Sequence, residues 1–323
     1  MMQEILLKSA LGIYDLENPS AILIRHNENM TYKVTDGENN YVFYIHKPTD
    51  GYSLGIFEKQ NRSDMLYCEL KMLSALAAGT DLIIQKPIST KNGELFAVLP
   101  GGIPVSLLKW VDGETLESIT HTPDHYRKIG VLTATLHNFF SSHIMDFSAY
   151  CRPSYDQSLL PSITEKIHAA YQTGVISEEQ AKAVRRVLDE IEKRFDELDK
   201  MGKKIIVHAD LSMSNMILTE NGSISPIDFS LSGFGHFYMD IGSLFGHINN
   251  KDERKLVLEG YKSVRDCEIE MFYVEPYFAL GVILFIACQY ERAKGWDWFG
   301  KAMERWCREI FIPLAERKSL SLV

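Results

Sequence analysis

The sequence has no excess of positive charge. Its 34 Lys and Arg residues are outnumbered by 43 Asp and Glu, for a net charge of −9. That balance argues against a nucleic-acid partner or an anionic membrane surface. No CxxC pair is present. The five cysteines (Cys68, Cys151, Cys267, Cys288, Cys307) are odd in number and widely scattered. Neither a zinc site nor a disulfide scaffold is suggested, and reduced thiols in a cytoplasm are the simplest reading. The most apolar stretch, Tyr277 to Cys288, has 12 residues. A membrane helix needs about 20, so this stretch reads as a buried helix and no membrane partner is expected. The start, MMQEILLKSALGIY, lacks a basic region followed by a long apolar segment, so no targeting signal is expected. Repeats, low-complexity tracts and long linkers are also missing. What remains is ordinary globular composition, 46% hydrophobic and 24% charged over 323 residues, with room for about two domains.

The first hundred residues read mostly as β. Thr31–Thr35 and Tyr41–His46 are rich in β-branched and aromatic residues, and Asp36-Gly37-Glu38-Asn39-Asn40 between them is a turn cluster. The spacing of Leu66, Leu70, Leu73, Leu76 and Ala77 predicts a helix over Ser63–Ala78, capped by Ser63 or Asp64. After Pro87 a second hairpin is expected, turning at Lys91-Asn92-Gly93-Glu94 and returning along Leu95–Leu99. Ser106–Val111 reads as one further strand. From Pro123 the pattern is helical. Helices are expected at Tyr126–Phe140, Glu253–Lys262, Val274–Ala293 and Trp298–Arg308. The clearest is Ser177–Leu198, where Ser177 and Gln180 form a capping box. The shift from β-rich to α-rich near residues 100–112 suggests two packed lobes with a ligand cleft between them.

One β-rich island, Lys203 to Phe245, interrupts the helical half. Ile205–Val207 is a short apolar strand. Met216–Thr219 and Ser223–Phe229 flank Asn221-Gly222, the signature of a two-residue type I′ hairpin turn. That turn would set Asn215 opposite Asp228 at the open end of the hairpin. An amide oxygen and a carboxylate side by side suit Mg²⁺, which takes few protein oxygens and completes its shell with substrate phosphates. Asp210, with His208 two residues earlier, lies in the loop just before.

His208-Ala209-Asp210 followed by Asn215, then Ile227-Asp228-Phe229, resembles the HGDxxxxN…IDF signature of the aminoglycoside phosphotransferase and choline kinase family. The resemblance extends over most of the chain, through Glu28–Val34, Tyr41–Pro48, Glu69–Ala77, Trp110–Leu116, Ile129–Phe139 and Gly233–Gly242. It implies an α+β, two-lobed protein-kinase-like fold. The N-lobe (1–105) would be small, β-rich and nucleotide-binding, and the C-lobe (106–323) larger and mainly helical. The implied activity is transfer of a phosphoryl group from ATP or GTP, with Mg²⁺, to a hydroxyl of a small molecule. Candidate acceptors are aminoglycosides, choline, amino-alcohols and sugars. By the same resemblance Asp210 takes the substrate proton, and His208 positions the catalytic loop that Asp240 anchors. Asn215 and Asp228 hold the metal and nucleotide phosphates, and Glu69 pairs with a phosphate-gripping lysine.

That lysine is missing. Its place in the family's strand falls on Tyr44, which cannot neutralise phosphate. His46, Lys47, Lys33 and Lys59 are the nearby substitutes, and Glu69 is expected to lack its partner. The loop Asp36–Asn40 is not a GxGxxG loop. After Phe229, where relatives often carry acidic residues, stand Ser230 and Ser232. A degenerate member that binds nucleotide without turnover is therefore the alternative. In the helical half, Glu268, Glu270, Glu275, Glu291, Asp297 and Glu304 accompany Trp296, Trp298 and Trp306. Carboxylates beside aromatic faces make a cationic acceptor one option.

Overall fold

The computed structural model describes residues 2–49, 56–57, 62–147, 149–202 and 204–323. The β-rich first part opens with a helix that the strand pattern hid, α1 (Met2–Leu11). It is followed by β1 (Ser20–His26), β2 (Met30–Asp36), β3 (Asn39–Ile45), α2 (Arg62–Gly79), β4 (Pro87–Ile88), β5 (Ala97–Leu99) and β6 (Ile103–Lys109). The strands form one antiparallel sheet in the order β1-β2-β3-β6-β4, with β5 also paired to β6. Side-chain alternation divides its two faces. Met30, Tyr32, Val34, Phe43, Ile45, Val105 and Leu107 form a core with Ala10, Leu11 and Tyr14 from the α1 side. Val42 and Leu108 join the other core, with Leu66, Leu70 and Leu73 of α2. Tyr44, His46 and Ser106 share that second face and border the cleft.

The β2–β3 hairpin matches expectation, with Gly37 in the left-handed region at φ +60°. Helix α2 starts at Arg62, so Ser63 and Asp64 lie in its first turn rather than before it. The second expected hairpin is corrected. The turn at Lys91–Glu94 is present, closed by Thr90 N–H to the Glu94 carbonyl at 2.8 Å. However, β4 and β5 both pair with β6 rather than with each other. The long alternating strand β6 offers both of them a better edge than a two-residue β4 can.

The second lobe begins with β7 (Glu114–Thr115) and continues through α3 (Pro123–Ser142), α4 (Ile144–Phe147), α5 (Leu160–Gln172) and α6 (Glu178–Met201). The Ser177–Gln180 capping box at the start of α6 is present as expected. The short strands β8 (Ile205–Val207), β9 (Met216–Leu218), β10 (Ile224–Pro226) and β11 (Gly233–Gly235) come next. They are followed by α7 (Tyr238–Gly246), α8 (Lys251–Val264), α9 (Met271–Ala293) and α10 (Phe299–Trp306). At 23 residues, α9 extends well beyond the 12-residue apolar stretch. By length and composition alone it could cross a membrane; here it packs against α5, α6 and α7. At Gly113, in the connection between lobes, a Cβ would lie 2.2 Å from the Leu218 carbonyl oxygen. Only glycine lets β7 pair with β9 there.

Candidate active site

The hairpin β9–β10 carries the centre of the site, and its register differs from expectation by one residue. The loop has three residues, Glu220-Asn221-Gly222, with Gly222 left-handed at φ +78°. Asn221 decides this. Its Oδ1 accepts from the Thr219 hydroxyl at 2.7 Å and from Ser223 N–H at 3.0 Å, which organises a longer turn than type I′. Pro226 therefore pairs with Met216, and Ile227 donates its N–H to the Asn215 carbonyl at 2.9 Å. Asp228 is not the residue opposite Asn215. A one-residue slip would send its side chain to the other face, but the chain turns left-handed at Asp228, with φ +63°. Asn215 and Asp228 thereby line the same cleft. Pro226 is tolerated because β10 is the edge of its sheet.

The loop before the hairpin is held from below. Buried Asp240 accepts His208 N–H at 2.9 Å and Ala209 N–H at 2.6 Å, and its Oδ2 lies 2.8 Å from His137 Nε2. Burial pushes this carboxyl up, but the His137 bond and the neighbouring donors outweigh it and hold it below the usual range. Ala209 adopts φ +67°, a strained conformation that these two backbone bonds fix in place. His208 is buried. Its Nε2 lies 3.1 Å from the Ile227 carbonyl, and its Nδ1 accepts the Asp210 N–H at 3.4 Å. Both ring nitrogens are thus engaged by backbone, and burial lowers the ring's pKa.

Asp210 projects from this loop. Asn215 Nδ2 donates to its Oδ2 at 2.8 Å and to its carbonyl at 3.0 Å. That commitment leaves the Asn215 oxygen available as an acceptor. Burial and the Asp228 charge raise the Asp210 carboxyl to about 7. Glu69 is raised to about 7 and Glu28 to about 8, burial first and Asp228 adding to both. Four carboxyl groups around one cleft is an arrangement that a divalent cation would relieve. Among the described residues, no three His, Cys, Asp or Glu side chains group to hold a metal alone. Two oxygen donors plus substrate phosphates is the pattern that suits Mg²⁺. The Asn215 amide oxygen and the Asp228 carboxylate, which no donor among the described residues hydrogen-bonds, fit it.

The cations in the cleft are not those the sequence singled out. Lys33 lies over the Trp110 ring, Lys47 lines neither cleft cavity, and Lys59 falls outside the described residues. His46 does line the cleft, but it bridges Asn29 and Ser106 at 3.1 and 2.9 Å. Burial and Arg62 hold its pKa down at about 4. Being neutral in the fold and charged in the unfolded chain below pH 6.5, it makes stability fall as pH drops from about 6.5 toward 4. His46 alone contributes a loss of about 2 kcal/mol between pH 7 and pH 5, against the opposite contribution of the raised Asp210, Glu69 and Glu28 carboxyls. Urea midpoints of wild type and His46→Gln at the two pH values isolate it: relative to His46→Gln, the wild type should lose about 2 kcal/mol on going to pH 5.

Arg25, Arg62 and Arg152 are the cations present. β1 bulges between Leu23 and Arg25, which turns Arg25 toward the cleft. Its guanidinium stands 3.9 Å from the Asp228 carboxylate. Arg62 lines the inner part of the cleft. Arg152 lies 3.9 Å from Glu69, so Glu69 has a partner after all. Arg152 also donates to the Phe229, Ser230 and Ser232 carbonyls and to the Ser232 hydroxyl, all at 2.7–2.8 Å. Ser232, standing where relatives often carry acids, is thereby explained as part of this clamp. The loop over the cleft is Asn27-Glu28-Asn29, between β1 and β2. Asp36–Asn40 is at the far end, where Asp36 accepts Glu17 and Asn18 N–H groups. Sequence reading missed Arg25, Glu28 and Arg152. Only the cation just before a polar Asn-Glu-Asn turn hinted at the first.

The cleft has a volume of about 560 Å³, with Asp210, Asn215, Asp228, Tyr44 and Arg25 in its walls. A second cavity of about 530 Å³ opens on the other side of Asp210, between α7, α9 and α10. Trp298 and Trp306 line it. None of the six carboxylates of the helical half does. Glu275 instead accepts Ser319 and Leu320 at 2.7 and 2.8 Å.

The model of the phosphotransferase enzyme family matches residues 29–265. No curated protein matches the sequence significantly. Among solved structures, a microcompartment-associated aminopropanol kinase is 20% identical, with TM-score 0.74 over 99% of both chains. An amicoumacin kinase in complex with AMP-PNP and Ca²⁺ is 18% identical, with TM-score 0.76 over 99% of this chain and 95% of that one. A choline kinase from Streptococcus pneumoniae is 16% identical, with TM-score 0.61 over 96% and 99%.

Proposed function

The chain belongs to the phosphotransferase enzyme family, and on that premise we propose that it transfers the terminal phosphoryl group of ATP or GTP to a hydroxyl of a small molecule, with Mg²⁺. The observation that carries this reading is the place of Asp210, whose carboxyl is shared by two cavities. One cavity offers metal-type oxygens and a cation; the other offers space for an acceptor. Asn215 fixes one carboxylate oxygen of Asp210, which leaves the other to orient the acceptor hydroxyl and take its proton. Asn215 and Asp228 would hold the metal, which neutralises phosphate charge when bound. His208 and Asp240 keep the loop in position without exchanging protons with substrate. The phosphate grip that Tyr44 cannot give is assigned to Arg25, with Arg62 further in.

Tyr44 also favours a second reading, nucleotide or small-ligand binding without turnover. It faces the cleft as a neutral phenol, its pKa raised by burial and by Asp228. Both readings require nucleotide binding. Mg·AMP-PNP at a hundred times its dissociation constant is expected to stabilise the fold by about 2.7 kcal/mol, visible as a raised melting temperature that shrinks in EDTA. No shift with adenine or guanine nucleotides would count against both.

A further inference from the structure

The cavity beyond Asp210 is walled by one face of α9. Phe278, Gly281, Val282, Phe285 and Gln289 recur at the spacing of a single helical stripe, and all five line it. Such a stripe on a core helix normally packs against a neighbour. This one is only half-buried. At Gly281 a Cβ would meet nothing within 4 Å. A glycine inside a helix is destabilising relative to alanine, and here no close packing requires it. The same holds at Gly246, the last residue of α7 on the same cavity. At Gly242, by contrast, a Cβ would lie 2.7 Å from Phe278 N and the Tyr277 Cβ, so glycine is needed for α7 to approach α9. Gly281 therefore keeps space open for something other than the chain itself.

The walls say what that is. Phe285 stands 6.0 Å from Trp306 and 6.1 Å from Trp298, and the two indoles are nearly perpendicular at 86°. These are flat faces for a flat apolar body. Asp210 is the sole carboxylate among the described lining residues; Glu28 and Glu117 line the phosphate cleft instead. The permanent charge in the wall is Arg305, which has no hydrogen-bond or ion-pair partner among the described residues. A polycation would find one counter-charge and one repelling guanidinium.

We propose that the acceptor is a hydroxyl compound with a flat apolar body and no net positive charge, seated on the Phe285–Trp298–Trp306 walls with its hydroxyl toward Asp210. This rests on the phosphotransferase reading above for the reaction, but not for the binding. The test compares 4-(hydroxymethyl)benzoate and 3-phenylpropan-1-ol with choline and kanamycin, by ADP release and by calorimetry. In the wild-type chain the two aryl alcohols are expected to exceed the two cations in kcat/KM by about tenfold or more. Gly281→Leu, whose Cβ enters open space and whose branched end extends into the cavity, should lower that value by a similar factor. Its affinity for Mg·AMP-PNP and its melting temperature should not fall. Gly281→Ala should raise the melting temperature. A preference for choline or kanamycin overturns the proposal, as does an unchanged Gly281→Leu. If no compound releases ADP, the phosphotransferase reading fails and calorimetry still decides. Aryl-alcohol binding that Gly281→Leu abolishes supports the acceptor class, and absence of binding overturns it.

Discussion

Asp210→Asn is expected to lower kcat by about a hundred- to ten-thousand-fold, the usual worth of a positioned general base. Asparagine has the shape of the carboxylate but cannot take a proton. The backbone that presents it is fixed independently, by Asp240 on His208 and Ala209 N–H groups, so the loop should not move. Nucleotide affinity should hold or rise, because one of the negative groups facing the phosphates is gone. Stability should not fall either. The native carboxyl is pushed up to about 7 by burial and by Asp228, so removing its charge removes a repulsion rather than a support. A loss in kcat with nucleotide binding intact is therefore the signature. Steady-state kinetics and a nucleotide titration on the same variant read it. An equal loss of nucleotide binding would make Asp210 a structural or metal-holding residue instead.

Arg25→Ala is expected to lower kcat/KM for the nucleotide by about ten- to a hundredfold, the range of a charge-assisted contact to phosphate. The effect should lie mainly in nucleotide affinity. Arg25→Lys should restore part of it, because charge is kept while the guanidinium fork is lost. Arg25 is 56% exposed and its distance to Asp228 is 3.9 Å. A surface ion pair of that kind contributes little to stability, so the melting temperature of the free protein should hardly change. If affinity for Mg·ATP is also unchanged, Arg25 is such an ion pair and nothing more. The phosphate charge would then be met by Arg62 or by the metal alone.

The parts of this fold that repeat along the chain were legible in the sequence. Helix α6 and its capping box, the β2–β3 hairpin and the apolar spacing of α2 all follow from local patterns. The order of Asp210, Asn215 and Asp228 was enough to place them together. What local pattern could not show was how neighbouring elements compete. Asn221-Gly222 signalled a two-residue turn, but the Asn221 side chain bonds to Thr219 and Ser223 and lengthens the loop. Asp228 reaches the site through a left-handed backbone rather than through strand register. Arg152 sits 83 residues after Glu69 in the sequence, and no spacing rule links them. Arg25 follows an apolar run, Ile22-Leu23-Ile24, and the bulge there is visible only once β1 pairs with β2. The carboxylates and tryptophans of the helical half looked like one group in sequence. In the fold, Trp298 and Trp306 line the cavity and the six carboxylates do not.

On this reading a phosphoryl group moves between the two cavities that meet at Asp210. The direct measurement is transfer of labelled terminal phosphate from ATP or GTP, with Mg²⁺, to a panel of hydroxyl compounds by the wild-type chain and by Asp210→Asn. The expected result is Mg²⁺-dependent labelling of at least one hydroxyl acceptor by the wild type, and its loss in a variant that still binds nucleotide. Nucleotide bound by the wild type with no label passed to any acceptor, or labelling undiminished in Asp210→Asn, would contradict it.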